Sequence, residues 1–145
     1  MTTDDTIALV TKFSNTLEIG LNDVTLGTLV KPMDLLDEEY GETKDAIIGY
    51  ATKLTVGGRS GDELKEDIID GYGDIAFIAL NGIYKTFRWI GDSHTEATLK
   101  TSEVMIRIAT ANLSKLQPDG SVHYDDNGKV QKPEGWRPPQ YKDLL

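Results

Sequence analysis

Cysteine is absent from the 145 residues, which excludes disulfides and thiolate metal sites and is compatible with a reducing cytoplasm. Histidine is scarce. Three positions before His94 and His123 stand Gly91 and Gly120, so the Glu-x-x-His pattern of helical di-iron sites is missing. No apolar run approaches the ~20 residues that span a bilayer. The start, Met1-Thr2-Thr3-Asp4-Asp5, lacks the basic and apolar regions of a signal peptide. The expectation is a soluble, cytoplasmic protein with no membrane partner. Positive charge is in the minority: 15 Lys and Arg stand against 24 Asp and Glu, for a net charge of −9. Such a balance argues against binding a nucleic acid polymer through its phosphates. A nucleotide substrate stays compatible, because a bound cation inverts the local field. Internal repeats, low-complexity tracts and linker-like stretches are also missing, and the length suits one domain with its own core, residues 1–145.

What is present is helical periodicity. Ile7, Val10, Phe13 and Leu17 recur at three- and four-residue steps and predict an amphipathic first helix. Pro32 suits a helix N-terminus, so a second helix is expected from about Pro32 to about Lys53, with Leu36, Tyr40, Ile47 and Tyr50 as its apolar stripe. Leu35, Glu39, Glu42 and Ala46 lie on the adjacent edge. After the loop Gly57-Gly58-Arg59-Ser60-Gly61, Ser60 or Asp62 caps a third helix reaching about Ile90. Its stripe is Leu64, Ile68, Gly71, Ile75 and Ile78, and Asp67, Asp70, Asp74 and Asn81 line the neighbouring edge. Gly71, Gly73 and Gly82 each cost about 1 kcal/mol inside a helix, for which close approach of another helix is the simplest reason. Gly91-Asp92-Ser93 breaks the pattern and caps a fourth helix that turns Ala97, Val104, Ile108 and Ala111 inward and ends near Leu113. Turn signals at Pro118-Asp119-Gly120 and Asp125-Asp126-Asn127-Gly128 predict a small hairpin or ordered loop, and Pro133, Pro138 and Pro139 an extended end. The expected fold is an all-α long-helix bundle over about residues 6–113, with a C-terminal hairpin or arm over about 117–145.

Two acidic rows dominate this layout. Glu39 and Glu42 sit one turn apart on the second helix; Asp67, Asp70 and Asp74 form a row on the third. Solvated faces commonly carry such rows, but these replace apolar residues along the edge of a core stripe. The usual lysine four residues on is missing too: Thr43 follows Glu39, and Asp74 follows Asp70. Packed together, the two rows repel unless a cation lies between them, and clustered oxygen ligands suit Mg²⁺, with Mn²⁺ as the alternative.

Glu38-Glu39-x-x-Glu42 followed by Asp67-x-x-Asp70 resembles the EExxE…ExxD signature of the MazG-like all-α nucleotide pyrophosphohydrolases. The run Asp70-Gly71-Tyr72-Gly73-Asp74-Ile75 is similar to the segment that continues that motif. Ala111-Asn112-Leu113-Ser114-Lys115-Leu116, Asp126-Asn127-Gly128-Lys129-Val130-Gln131-Lys132-Pro133 and the stretch from Trp136 to Pro139 resemble later segments of the phosphoribosyl-ATP pyrophosphohydrolase-like branch. Together these cover about residues 30–145. The chain departs from the pattern at Asp67, where the family usually has Glu, one methylene longer.

The resemblance implies Mg²⁺-dependent hydrolysis of an NTP or dNTP to the monophosphate and pyrophosphate. It implies Glu39, Glu42, Asp67 and Asp70 as metal ligands, Asp74 as their orienter or as a ligand of an additional metal, and Glu38 as the residue that positions or deprotonates water. It also implies substrate contact by Asn112, Ser114 and Lys115, which otherwise read as a helix C-cap, and phosphate contact by Lys129 and Lys132, which otherwise read as solvated lysines. Assembly as a homodimer or homotetramer is expected. The alternatives are a phosphoribosyl-ATP pyrophosphohydrolase and a catalytically degenerate helical interaction protein. His94 and His123 read as surface residues without a role.

Overall fold

The computed structural model describes residues 3–19, 24–56 and 61–145. Ile7 and Val10, one turn apart, are buried on the inner face of α1 (Thr3–Phe13). Phe13 meets Phe77 edge to face, with ring centroids 5.2 Å apart. The apolar stripe does not continue to Leu17 as expected. Beyond Phe13 the chain winds as a π-helix, Ser14–Ile19, whose wider turn brings residues five apart onto one face. Ser14 and Ile19 are therefore the buried pair, and Leu17 is 70% exposed.

The second helix, α2, spans Leu26–Val56 and carries Pro32 inside it rather than at its start. A threonine pair sets the true beginning. Thr28 Oγ1 accepts the Thr25 N–H at 3.1 Å and donates to the Thr25 carbonyl at 2.6 Å, and the Thr28 N–H donates to the same carbonyl at 3.0 Å. Such side-chain bonding satisfies groups that a helix start leaves open, and it outweighs the backbone bond that Pro32 cannot donate. The Pro32 side chain is buried against α3, below Gly82.

Helix α3 (Gly61–Trp89) runs antiparallel to α2: Leu64 lies by Gly49, Gly71 by Thr43 and Gly82 by Pro32. The buried seam of α2 is accordingly Pro32, Thr43 and Ala46, with Leu35 and Glu39 half-buried. Tyr40 and Ile47, expected to point inward, are exposed. The row expected at the edge of the core is the row that faces α3. Of the α3 glycines, Gly71 marks a close helix approach: a Cβ there would lie 2.0 Å from Thr43 Oγ1. A Cβ on Gly73 would meet nothing within 4 Å, and one on Gly82 only ordinary contact. The expected loop before α3, including Ser60 as a cap, falls almost entirely outside the described residues.

Helix α4 (His94–Leu113) begins at Ser93, whose side chain accepts the Glu96 N–H while Glu96 accepts the Ser93 N–H, a complete capping box. Gly91, at φ +110°, turns the chain between α3 and α4. Ala97, Thr101 and Val104 then face inward. They join a core of Ile19, Tyr84, Phe87, Ala97, Val104 and Leu144, flanked by Val24, Ile83, Ile108 and Tyr141.

Leu144 enters this core from a C-terminal arm. The predicted hairpin reduces to one antiparallel bridge, Tyr124 to Val130, around a turn in which Asp125 Oδ1 accepts the N–H groups of Asn127 and Lys129. No strand is present among the described residues. The arm returns along α4: the Trp136 indole donates to the Ala111 carbonyl at 2.9 Å, and Arg107 grips Asp143 with two 2.7 Å bonds while also holding Glu103 and the Gln140 carbonyl. The guanidinium holds the Asp143 carboxyl down to about 2. Among the described residues no helix is long and apolar enough to cross a membrane.

Candidate acidic groove between α2 and α3

Because α2 and α3 run antiparallel and touch most closely at Gly71 and Thr43, the side chains flanking that contact splay apart and leave a groove of about 600 Å³. Glu39, Glu42 and Asp45 line it from α2, and Asp67, Asp70 and Asp74 from α3. Its remaining walls are Thr43, Ala46, Gly49, Leu64 and Gly71; among the described residues no lysine or arginine lines it. Helical spacing explains the convergence: each acid sits three or four residues from the next, so each row follows one helix edge. Asp45 completes the α2 row. It lies three residues beyond Glu42, a spacing visible in the sequence although Asp45 is not among the expected site residues.

Repulsion within the groove registers on Glu39. Its carboxyl is pushed above the ordinary value, first by desolvation and then by the charges of Asp74, Glu42, Glu38 and Asp70. Glu38 itself is exposed and outside the groove lining, one residue from Glu39. Asp67, Asp70 and Asp74 also border a second hollow of about 620 Å³ on the other side of α3, with Glu66, Ile69 and Gly73. The α3 acids thus stand on a ridge between two clefts.

The oxygen-only donor set matches a hard divalent cation. Among the described residues, however, no three Asp, Glu or His side chains stand ready-made as a metal-holding group. Glu42, Asp70 and Asp74 are exposed, and bringing them onto one ion requires side-chain rotation across the groove.

None of the expected substrate residues lines this groove within one chain. Lys115 Nζ donates to Asn112 Oδ1 at 2.6 Å, and Ser114 Oγ donates to the Ala111 carbonyl at 2.9 Å, as at an ordinary helix C-terminus. Lys132 and Lys115 lie 4.4 and 5.8 Å from the centre of the Trp136 ring. The Lys129 N–H closes the Asp125 turn. The five expected metal ligands share one place, and the expected substrate contacts share another, around the end of α4 and the arm.

His94 is not the idle surface residue expected. Its Nδ1 lies 2.9 Å from the hydroxyl of Tyr84, a wholly buried tyrosine that also bonds Asn15 and accepts from Arg88. Burial raises the Tyr84 phenol, against the opposing effect of Arg88. Beside this network Lys85 pairs with Glu18 at 2.9 Å, and Asn81 donates to the same carboxylate. A signal for both existed in the sequence. Asn81, Tyr84, Lys85 and Arg88 stand at i, i+3, i+4 and i+7 on α3 and form a polar seam where apolar residues would be expected.

No protein-family model matches the chain, and no curated protein sequence matches it.

Proposed function

We propose that the α2–α3 groove binds a divalent cation, Mg²⁺ by choice and Mn²⁺ as a substitute, and that the protein hydrolyses nucleoside triphosphates to the monophosphate and pyrophosphate. The observation that carries this reading is the convergence of six carboxylates from two helices on one groove with no basic residue in its lining among the described residues. Such an arrangement is self-repelling, as Glu39 registers, and becomes favourable only when positive charge enters. Glu39 and Glu42 would hold the cation from α2, and Asp67 and Asp70 from α3, with Asp74 orienting them or serving a further ion.

When bound, the cation neutralises the polyphosphate and the charge that develops on the leaving group. The chain's own acids do the rest. They fix the approach of the triphosphate between the helices, and Glu38 turns toward the groove to take the water's proton. The water oxygen bonds to a phosphorus of the α–β bridge, and the bond from that phosphorus to the bridging oxygen breaks in line. Its electron pair leaves with pyrophosphate when the α-phosphorus is attacked, or with the nucleoside monophosphate when the β-phosphorus is.

Residues outside the groove complete the site from a second copy of the chain. Asn112, Ser114, Lys115, Lys129 and Lys132 are amide, hydroxyl and cationic groups that do not line the groove of their own chain. Ile69 and Tyr72 are exposed beside the α3 acids. A homodimer or homotetramer would bring the two sets together, and light scattering at tens of micromolar tests it; a monomer refutes it.

The test of chemistry is pyrophosphate release across the common NTPs, dNTPs and phosphoribosyl-ATP with Mg²⁺. Release from an NTP or dNTP is expected, and preference for phosphoribosyl-ATP would select the histidine-synthesis activity. Asp67→Ala should abolish release while keeping helix content, because alanine favours helix and relieves repulsion; Asp67→Glu should retain some. Absence of release from every substrate would leave a helical interaction protein, a reading favoured by one observation: Asp67 stands where the resembled family has the longer glutamate.

A further inference from the structure

At the opposite end of the α2–α3 pair lies a smaller hollow, of about 290 Å³, that the acidic groove does not reach. Leu17, Glu18, Ile19, Gly27, Thr28, Lys31 and Lys85 line it. Its chemistry is the reverse of the groove's: among the described residues it holds two ammonium groups and one carboxylate, in a chain of net charge −9.

Lys85 is the unusual member. Its side chain is only 5% exposed, yet it faces the hollow. An ammonium carries three N–H donors, so one carboxylate partner leaves it room for further acceptors. Glu18, at 2.9 Å, is the one acceptor Lys85 has among the described residues. That same Glu18 oxygen also receives the Asn81 side-chain N–H. Burial pushes the Glu18 carboxyl up, but Asn81 and Lys85, with Ser14 close by, outweigh it and hold it below the ordinary value. Ser14 lies near enough to act on that charge, although its hydroxyl makes no well-formed hydrogen bond. Lys31, on the facing helix, is exposed and pairs with no acid among the described residues. The first turn of α2, at Gly27 and Thr28, lies on the same hollow and presents the positive end of a long helix.

We infer that this hollow is an anion site for a tetrahedral oxyanion, either free phosphate or the phosphate of a monoester, held between Lys85 and Lys31. The oxyanion supplies the acceptors that Lys85 lacks, and Glu18 holds the lysine in place between binding events. The inference is independent of the nucleotide reading of the acidic groove.

The experiment is calorimetric titration of the full chain with inorganic phosphate and with glycerol phosphate, in EDTA so that the acidic groove stays metal-free. Unfolding midpoints are followed in parallel against chloride of equal ionic strength. Saturable binding to the wild type is expected. Lys85→Met should remove it, and Lys31→Gln should weaken it about tenfold, the scale of one charge-assisted hydrogen bond. Glu18→Gln takes the built-in anion from Lys85, so its midpoint should fall and phosphate should restore it more than in the wild type. Tighter binding of glycerol phosphate would identify the ligand as an ester, and tighter binding of phosphate as the free ion. Equal stabilisation of the wild type, Lys31→Gln and Glu18→Gln would be salt exclusion from the surface and would overturn the inference. So would absence of heat with the wild type. If Lys85→Met does not fold, Lys31→Gln and Glu18→Gln decide alone.

Discussion

Replacing Gly71 with alanine sets two effects against each other. Alanine in the middle of α3 removes the helix penalty of glycine, a gain of about 1 kcal/mol. The new methyl lands on Thr43, with Oγ1 at 2.0 Å, Cβ at 3.0 Å and Cα at 3.4 Å. Thr43 Oγ1 is buried and makes no hydrogen bond among the described residues, so the hydroxyl can rotate away without losing one. Rotation does not move Thr43 Cβ or Cα, and α2 and α3 must part by a few tenths of an ångström. Overpacking of this kind costs about 1–3 kcal/mol, so the net effect should lie between neutral and destabilising by about 2 kcal/mol, a fall in melting temperature of up to about 8 °C for a chain of this size. Urea unfolding followed by circular dichroism should show the midpoint fall with an unchanged slope. In a Thr43→Gly background the same substitution should cost less by about 1 kcal/mol, because Oγ1 and Cβ are gone and only Cα, at an ordinary contact distance of 3.4 Å, remains. Gly73→Ala, where a Cβ meets nothing, should instead be stabilising by up to ~1 kcal/mol. A Gly71→Ala protein stabilised by the same ~1 kcal/mol as Gly73→Ala would refute the close approach, and with it the geometry that opens the groove.

Three further outcomes follow from the same structure. Asp70→Asn should raise the metal-free melting temperature and blunt the rise caused by Mg²⁺: Glu39 is a carboxyl raised by its neighbours, so its contribution to stability is greatest below the ordinary value of 4.5 and is lost as pH rises through the folded value. Asp143 has the opposite sign, its contribution being present above 3.8 and lost as pH falls through about 2; Asp143→Asn should loosen the arm at neutral pH, read as a change in tryptophan fluorescence, and flatten that acid limb. Ser93→Ala removes the side-chain acceptor of the capping box and should be destabilising by about 1 kcal/mol, seen as a lower urea midpoint.

The helices were legible where local chemistry and periodicity agreed. Ser93, Glu96 and the Gly91 turn mark α4, and the acid spacing placed Glu39, Glu42, Asp67, Asp70 and Asp74 on facing edges. Pro32 misled because its preference for a helix start is weaker than the Thr25–Thr28 pair upstream of it. The α2 stripe was misassigned for a different reason: Tyr40 and Ile47 are the larger apolar residues, but close packing at Gly71 favours the small Thr43 and Ala46. A π-helix carries no periodic signal of its own, so the outward turn of Leu17 could not be read from the pattern. His94 and Lys85 escaped because their partners, Tyr84 on the same seam and Glu18 more than 60 residues away, are brought to them by tertiary packing. Lys115 and Lys132 were legible as cations but not as neighbours of Trp136.

The burial of Leu144 among Ile19, Tyr84, Phe87, Ala97 and Val104 has a consequence for how the chain reaches its folded state. The α2–α3 pair is local in sequence and can form while later residues are still being synthesised. The central core cannot close then, because one of its members lies at position 144. Until the arm arrives, the surfaces of Tyr84, Phe87 and Val104 that Leu144 covers stay open, a period in which a nascent chain is exposed to chaperones and to aggregation. Docking of the arm, held in the folded state by the Arg107–Asp143 pair, is thus what closes this core, and its rate sets how long that vulnerable interval lasts.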